Sequence, residues 1–424
     1  MKRTGALLIA ALAVATSARA EAPKLDDAVV EHVLQIHGID SERRDDAFSK
    51  MGGSSVASKA FLHCFSTEHV DLGDQPELRE TIDYFNTGRR NSFNRPSEAA
   101  GVSWNLRYVL AGRPANFRQE LDATGARWAL VLFGGNDAQN ENERVYLKRL
   151  VYLIEQMQEM GVVPILGSAM PRRNAYKNRW IHRFNLITEA VAKHWSLPYV
   201  DYHAALSALP RKGLARDGVH PNVLPPGGYQ SSCQLTDKGL RYGNNVRNLL
   251  TLEMLDALRI AILADADADA DADAGADAGA DADAGADAGA DAGADAGAGA
   301  DGDAGNAPDP FPISALIDKP TLPMASPLPK NCGPAKPGSR HYKASLPLEE
   351  RTRLRVSALD LNGHKSRVLL LRHDEETGEA RCVRRRTQTL EVDARPGMWD
   401  LIVEVPDKAA EEGQMLILIA RNPR

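Results

Sequence analysis

Between Ala264 and Gly305 the chain reads ADADADADADAGADAGADADAGADAG and onward, without one large apolar side chain. Such a segment buries too little apolar surface to offset its ordering entropy, so a disordered Ala/Asp/Gly linker is expected over 264–310. The 424 residues then divide into a folding unit over 21–263 and a second one over 311–424. Calcium is a poor reading of the tract, because that ion needs several oxygens fixed by a turn and no regular spacing of residue types fixes them here. Thirteen aspartates lie in this stretch while the whole chain has a net charge of −6, so the flanking regions together are mildly basic. No basic stripe with interleaved aromatics accompanies that charge, and no nucleic-acid partner is expected.

The chain opens with Met1, Lys2 and Arg3, continues through an apolar stretch from Gly5 to Thr16, and reaches Ala18-Arg19-Ala20. A positive start, a short apolar run and a small-x-small site are the marks of a secretory signal, assigned to 1–20. The run is too short to span a bilayer. The expected protein is secreted, extracellular or periplasmic, with no membrane span. Four cysteines suit that compartment. Three pairings are open; the repeat favours pairing within each half, Cys64 with Cys233 and Cys332 with Cys382, against the alternative of four buried thiols. None has a Cys-x-x-Cys neighbour, which argues against zinc.

Before the linker, strand-like and helix-like segments alternate. Ala47 to Met51, Trp128 to Phe133 (WALVLF), Val162 to Leu166 and Leu197 to Tyr202 are short apolar runs. Leu147, Leu150, Val151, Ile154 and Met157 recur at the spacing of one helix face, and a second helical pattern runs from Trp180 to His194. Buried strands alternating with amphipathic helices predict a parallel α/β sheet covered on both faces, with ligands bound beyond the carboxyl ends of its strands. After the linker, short apolar runs from Leu354, Arg367, Thr389, Trp399 and Met415 are separated by turn residues, the rhythm of a small antiparallel β-sandwich.

The strand ends carry the residues of a nucleophilic acyl transfer, which needs a hydroxyl, a base, a group that orients the base, and donors for the oxyanion. Ser54 follows Gly52-Gly53 at the first strand end. Asn136, in FGGNDA, follows another, with Asp137 beside it as a helix cap that accepts backbone bonds. In ARDGVHPN, Asp217 and His220 are three apart, so one turn brings a carboxylate to an imidazole. Ser55 is the rival nucleophile and Asp201 the rival acid. His63 and His69 flank Cys64 in a metal-like way, although packed or capping histidines are the simpler reading, and Arg384-Arg385-Arg386 reads as a solvated strand face.

In this order and spacing the pieces resemble the SGNH, or GDSL, hydrolase superfamily. The first block corresponds to Gly52-Gly53-Ser54, the third to Gly134-Gly135-Asn136-Asp137, and the fifth to Asp217-Gly218-Val219-His220 followed by Pro221. The resemblance covers about 46–255 and implies a three-layer α/β/α fold and a serine hydrolase of esters needing no metal or organic cofactor. In that reading Ser54 is the nucleophile, His220 the base and Asp217 the orienting acid, with Ser54, Asn136 and a second-block glycine binding the oxyanion. Gly101 in RPSEAAGVSW is the candidate for that glycine and Ser97 its rival. Gly53 departs from the Asp usual in the family. Residues of about 340–419 resemble the bacterial pre-peptidase C-terminal domain, which implies a secreted β-sandwich that assists attachment to a cell surface or polymer. The expected substrates are small esters or acylated polysaccharide or lipid. A binding or adhesion protein on a degenerate hydrolase fold is the alternative that Gly53 keeps open.

Overall fold

The computed structural model describes residues 25–140, 142–277, 314–318, 328–329, 332–333, 338–360, 364–374, 377–387, 389–406 and 414–423. The expected signal at 1–20 and most of the expected linker, from 278 onward, lie outside them. Four strands form a parallel sheet in the order β1 (Arg44–Gly52), β2 (Ala126–Leu132), β3 (Val163–Gly167), β4 (Tyr199–Val200). Register pairs Gly52 with Leu132, Trp128 with Val163 and Leu166 with Tyr199. Successive side chains of β3 are all buried, and those of β2 nearly so, which requires cover on both faces.

Nine α-helices are described: α1 (Asp27–His37), α2 (Ser54–Ala57), α3 (Leu78–Phe85), α4 (Leu106–Val109), α5 (Asn116–Thr124), α6 (Glu143–Glu159), α7 (Ala175–His194), α8 (Tyr202–Ser207) and α9 (Gly243–Asp277). Helices α3 and α5 pack on β1, α6 and α7 on β3, and α9 on β4, giving the three-layer α/β/α arrangement. Because the strands run parallel, their carboxyl ends lie along one edge: Gly52, Leu132, Gly167 and Val200.

Two boundaries differ from the sequence reading. The fourth strand stops at Val200, two residues before the apolar run ends, because the Asp201 carboxylate accepts from the Ala204 amide and starts α8 at Tyr202. Helix α9 overruns Ala264, where the linker was expected to begin, and reaches Asp277. Alanine at alternate positions is the strongest helix former and extends the last packed turns.

The C-terminal region forms two antiparallel four-stranded sheets from β5 (Ser314–Asp318), β6 (Ser339–Leu348), β7 (Thr352–Asp360), β8 (Arg367–His373), β9 (Ala380–Thr387), β10 (Thr389–Ala394), β11 (Gly397–Pro406) and β12 (Gln414–Pro423). One sheet runs β10-β7-β12-β5 and the other β6-β11-β8-β9. Leu346, Leu354, Val356, Leu370, Trp399 and Leu401 form the core between them. Arg384, Arg385 and Arg386 are exposed on β9. Cys332 is bonded to Cys382 beside Leu369, Leu371 and Ile402. The second region is seated on α6 and α7: Arg183 lies 3.4 Å from Glu391, Arg355 lies 3.8 Å from Glu143, and Arg355 stacks over the Trp180 ring.

Strand β1 carries a charged residue into the interior. Lys50 is 6 % exposed, and its Nζ donates to the Phe93 carbonyl at 2.7 Å. Burial pushes the ammonium down to about 8, against the pull of Glu120 and with the repulsion of Arg95. The unfolded chain therefore binds more protons between that value and the ordinary 10.5, so stability should rise as pH climbs through this window. The gain is about 3 kcal/mol by the linkage relation. Urea titrations at pH 7.5 and 10 on the wild type and Lys50→Met check it, because the variant should lack this increment.

Candidate active site

The turn from β1 into α2 delivers Ser54 to the carboxyl edge of the sheet. Gly53 adopts extended backbone with φ −84°, so its conformation does not call for glycine and any demand on the residue is one of space. A Cβ at 53 would stand 2.9 Å from the Asn136 Nδ2 and 3.3 Å from the Trp104 carbonyl. A side chain at 53 would therefore press on the Asn136 amide and the carbonyl that holds it. Gly53→Ala should displace that amide and lower kcat/KM about tenfold to a hundredfold, in line with the cost of an ångström-scale misplacement. Steady-state kinetics on a short acyl ester measure it.

His220 comes from the loop between α8 and α9. Gly218 adopts a φ of +71°, which bends the chain back on itself. Asp217 Oδ1 accepts from the Val219 and His220 amides at 2.8 and 3.0 Å, and Oδ2 lies 2.8 Å from His220 Nδ1. Burial raises this carboxyl, but the hydrogen bonds from the imidazole and the two amides outweigh it and hold Asp217 at about 2. It is an acceptor at neutral pH, which places a ring proton on Nδ1 and leaves Nε2 facing Ser54 as a base. That Nε2 lies 2.8 Å from Ser54 Oγ. Ser54, His220 and Asp217 form one hydrogen-bonded chain across two loops.

The expected oxyanion donors fare unequally. Asn136 Nδ2 donates one hydrogen to the Trp104 carbonyl at 2.8 Å, which fixes the side chain and leaves its second hydrogen. The Ser54 amide makes no hydrogen bond among the described residues. Gly101 needs correction: its amide donates to the Gly52 carbonyl at 3.1 Å, as Gly52 donates to Ala99, so the loop over 99–101 extends the β1 edge and that N–H is engaged. Ser97 caps the same loop, accepting from the Ala99 amide at 3.0 Å. Asp137 accepts from the Leu106 and Gly134 amides, tying α4 to the Asn136 turn. Asp201 receives the Ser168 hydroxyl at 2.8 Å. The His63 ring meets the Tyr229 ring edge to face. Among the described residues no three His, Cys, Asp or Glu side chains gather as a metal site.

Two arginines escaped the sequence reading. Arg172 follows β3 and donates to the Val219 carbonyl at 2.7 Å and the Gly135 carbonyl at 3.4 Å, bridging the histidine and asparagine loops. A basic residue just past a strand end was the available signal. Arg247, on the buried face of α9, lines a cavity of about 60 Å³ with Gly53, Ser54, Trp104, Asn136 and Tyr202. A larger cleft of about 510 Å³ adjoins it, sharing Gly135, Arg172 and Val219 and walled further by Gln139, Lys177, Trp180 and Asp217. Cys64 is bonded to Cys233, joining the segment after Ser54 to the one after His220. No described helix is long and apolar enough to cross a membrane.

Residues 73–224 match the GDSL-like Lipase/Acylhydrolase family, a span that holds Asn136, Asp217 and His220 and begins beyond Ser54. Among solved structures, a GDSL-like lipase from Bacteroides thetaiotaomicron is 14 % identical with a TM-score of 0.34, covering 55 % of this chain and 98 % of its own. A putative acylhydrolase from Bacteroides fragilis is 15 % identical at a TM-score of 0.34, covering 56 % and 100 %. An acetylxylan esterase from Geobacillus stearothermophilus is 14 % identical at a TM-score of 0.35, covering 51 % and 96 %. No curated protein matches the chain in sequence. With the family match lying over the asparagine and histidine blocks, the chain carries a GDSL-like lipase/acylhydrolase domain and is an ester hydrolase of the SGNH type.

Proposed function

We propose that the protein is a secreted serine esterase acting through an acyl-enzyme, with Ser54 as nucleophile, His220 as general base and acid, and Asp217 as the group that orients the imidazole. The observation that carries this reading is the continuous Ser54–His220–Asp217 hydrogen bonding, 2.8 Å at each link. Ser54 Oγ attacks the ester carbonyl as Nε2 takes its proton; the Ser54 amide and the second hydrogen of Asn136 Nδ2 receive the oxyanion. The imidazolium, stabilised by the Asp217 carboxylate, returns its proton to the departing alcohol. Water then repeats the sequence on the acyl-enzyme and releases the acid.

The cavity and the cleft suit different halves of a substrate. The 60 Å³ space beside Ser54 favours a small acyl group, and the 510 Å³ cleft favours a larger alcohol such as a sugar unit or a glycerolipid head. Export rests on the signal-like residues 1–20, and the two disulfides accord with it. The first domain is proposed to run from 21 through α9, past the limit of 263 read from the sequence, and the second over 311–424, resembling the pre-peptidase C-terminal domain and contacting a surface or polymer. A fluorophosphonate probe tests the central assignment: covalent label on the peptide bearing Ser54, alongside hydrolysis of p-nitrophenyl acetate, is the expected result. A folded protein that takes no label and has no turnover would overturn it.

A further inference from the structure

The lining of the cavity beside Ser54 includes a buried cation. Arg247 is 2 % exposed, and its guanidinium lies 4.1 Å from the Phe61 ring centre and 5.5 Å from that of Tyr202. One terminal nitrogen donates to the Ser55 carbonyl at 3.1 Å. Its Nε is buried without a hydrogen-bond partner among the described residues, and no carboxylate among them pairs with the side chain. A buried charge is retained at low cost only when it is paired and its donors are satisfied. Here stacking on two rings supplies part of the compensation and the donor fork remains incompletely used. Burial lowers the guanidinium to about 10, so it stays charged at neutral pH. The missing partner of such a group on a substrate-pocket wall is an anion.

We propose that Arg247 recognises a carboxylate at the far end of the acyl group, so that the preferred substrate is a half-ester of a short dicarboxylic acid, of malonyl or succinyl size. This rests on the ester-hydrolase reading with Ser54 as nucleophile. Size agrees with charge. A cavity must offer about 10–15 Å³ by the same measure to hold one water, so about 60 Å³ holds on the order of five such groups: a short chain with a terminal carboxylate, and no fatty acyl tail. Position agrees too: Arg247 donates to the carbonyl of Ser55, the residue next to the nucleophile, and lines the same cavity as Ser54. The planar fork suits it in two-point contact. Attack by Ser54 transfers the dicarboxylic acyl group to Oγ and frees the alcohol; water then releases the dicarboxylate and restores the hydroxyl.

The experiment compares monoethyl succinate with ethyl butyrate, a neutral ester of like shape, on the full chain. The wild type is expected to favour the succinate ester at least tenfold in kcat/KM. Arg247→Met should erase or invert that ratio, and Arg247→Lys, which keeps charge without the fork, should fall between. Equal rates on the two esters in the wild type overturn the proposal. So does a proportional loss on both in Arg247→Met, which is what a residue that merely holds the Ser55 carbonyl would produce. Calorimetric binding of monoethyl succinate to Ser54→Ala, with and without Arg247→Met, separates this proposal from the catalytic one. Arg247-dependent binding supports the anion site even where the wild type cleaves neither ester; absence of binding, or binding indifferent to Arg247, removes it. Melting curves on both Arg247 variants establish that folded proteins are compared.

Discussion

Ser54→Ala should lower kcat on p-nitrophenyl acetate by about four to six orders of magnitude while leaving the fold intact. The size follows from what is lost: among the described residues no other hydroxyl is held 2.8 Å from His220 Nε2, so the substitution removes both the attacking atom and the proton it passes to the imidazole. Stability should barely change, because Ser54 is only half-buried and its hydroxyl bonds nothing but the imidazole. His220→Ala should cost a comparable factor, and the double variant little more than either, because the two act as one unit. Asp217→Asn should cost somewhat less, leaving the ring in place but favouring the wrong tautomer. Ser55 makes a different prediction available: retention of most activity in Ser54→Ala and its loss in Ser55→Ala would move the nucleophile by one position.

Removing the disulfide between Cys64 and Cys233 should cost stability without touching the chemistry. The bond closes a loop of 169 residues, for which the loop-entropy relation gives about 5 kcal/mol, with about 2–4 more usual in practice. Both cysteines are fully buried, and Asn248 already ties the same segments, donating to the Ala60 and Ser232 carbonyls while it accepts from the Leu62 amide. That second tie should keep the doubly substituted Cys64→Ala/Cys233→Ala protein folded at room temperature. Its melting point should fall by about 10 °C, with kcat within a few-fold of wild type below the new transition. An unchanged melting point would mean that Asn248 and its neighbours suffice. A loss of activity in the folded variant would show that the bond sets the separation of Ser54 and His220.

Much of the architecture was legible because it rests on local pattern. WALVLF, buried but for the half-buried Leu132, announces a central strand, and the three-and-four recurrence from Leu147 to Met157 marks the buried face of α6. Asp217 and His220 were legible as a pair because three residues of chain, with Gly218 to turn it, suffice to join them. What escaped depends on meetings between distant segments. No spacing indicates that the Asn136 amide would come within contact of a side chain at 53, or that the Gly101 amide is engaged by the Gly52 carbonyl. The apolar run to Tyr202 looked like strand to its end because a cap made by Asp201 is invisible to hydrophobic periodicity. Arg247 sits in a helix otherwise selected for packing, and its place beside Ser54 exists only once α9 lies against the first loop.

Trp180 joins the two halves of the molecule. Its indole helps to wall the cleft beside Asp217, and the same ring is stacked by Arg183 from its own helix and by Arg355 from the sandwich. Trp180 is thus a wall common to both halves, and its replacement should be felt in the cleft and at the seat of the sandwich together.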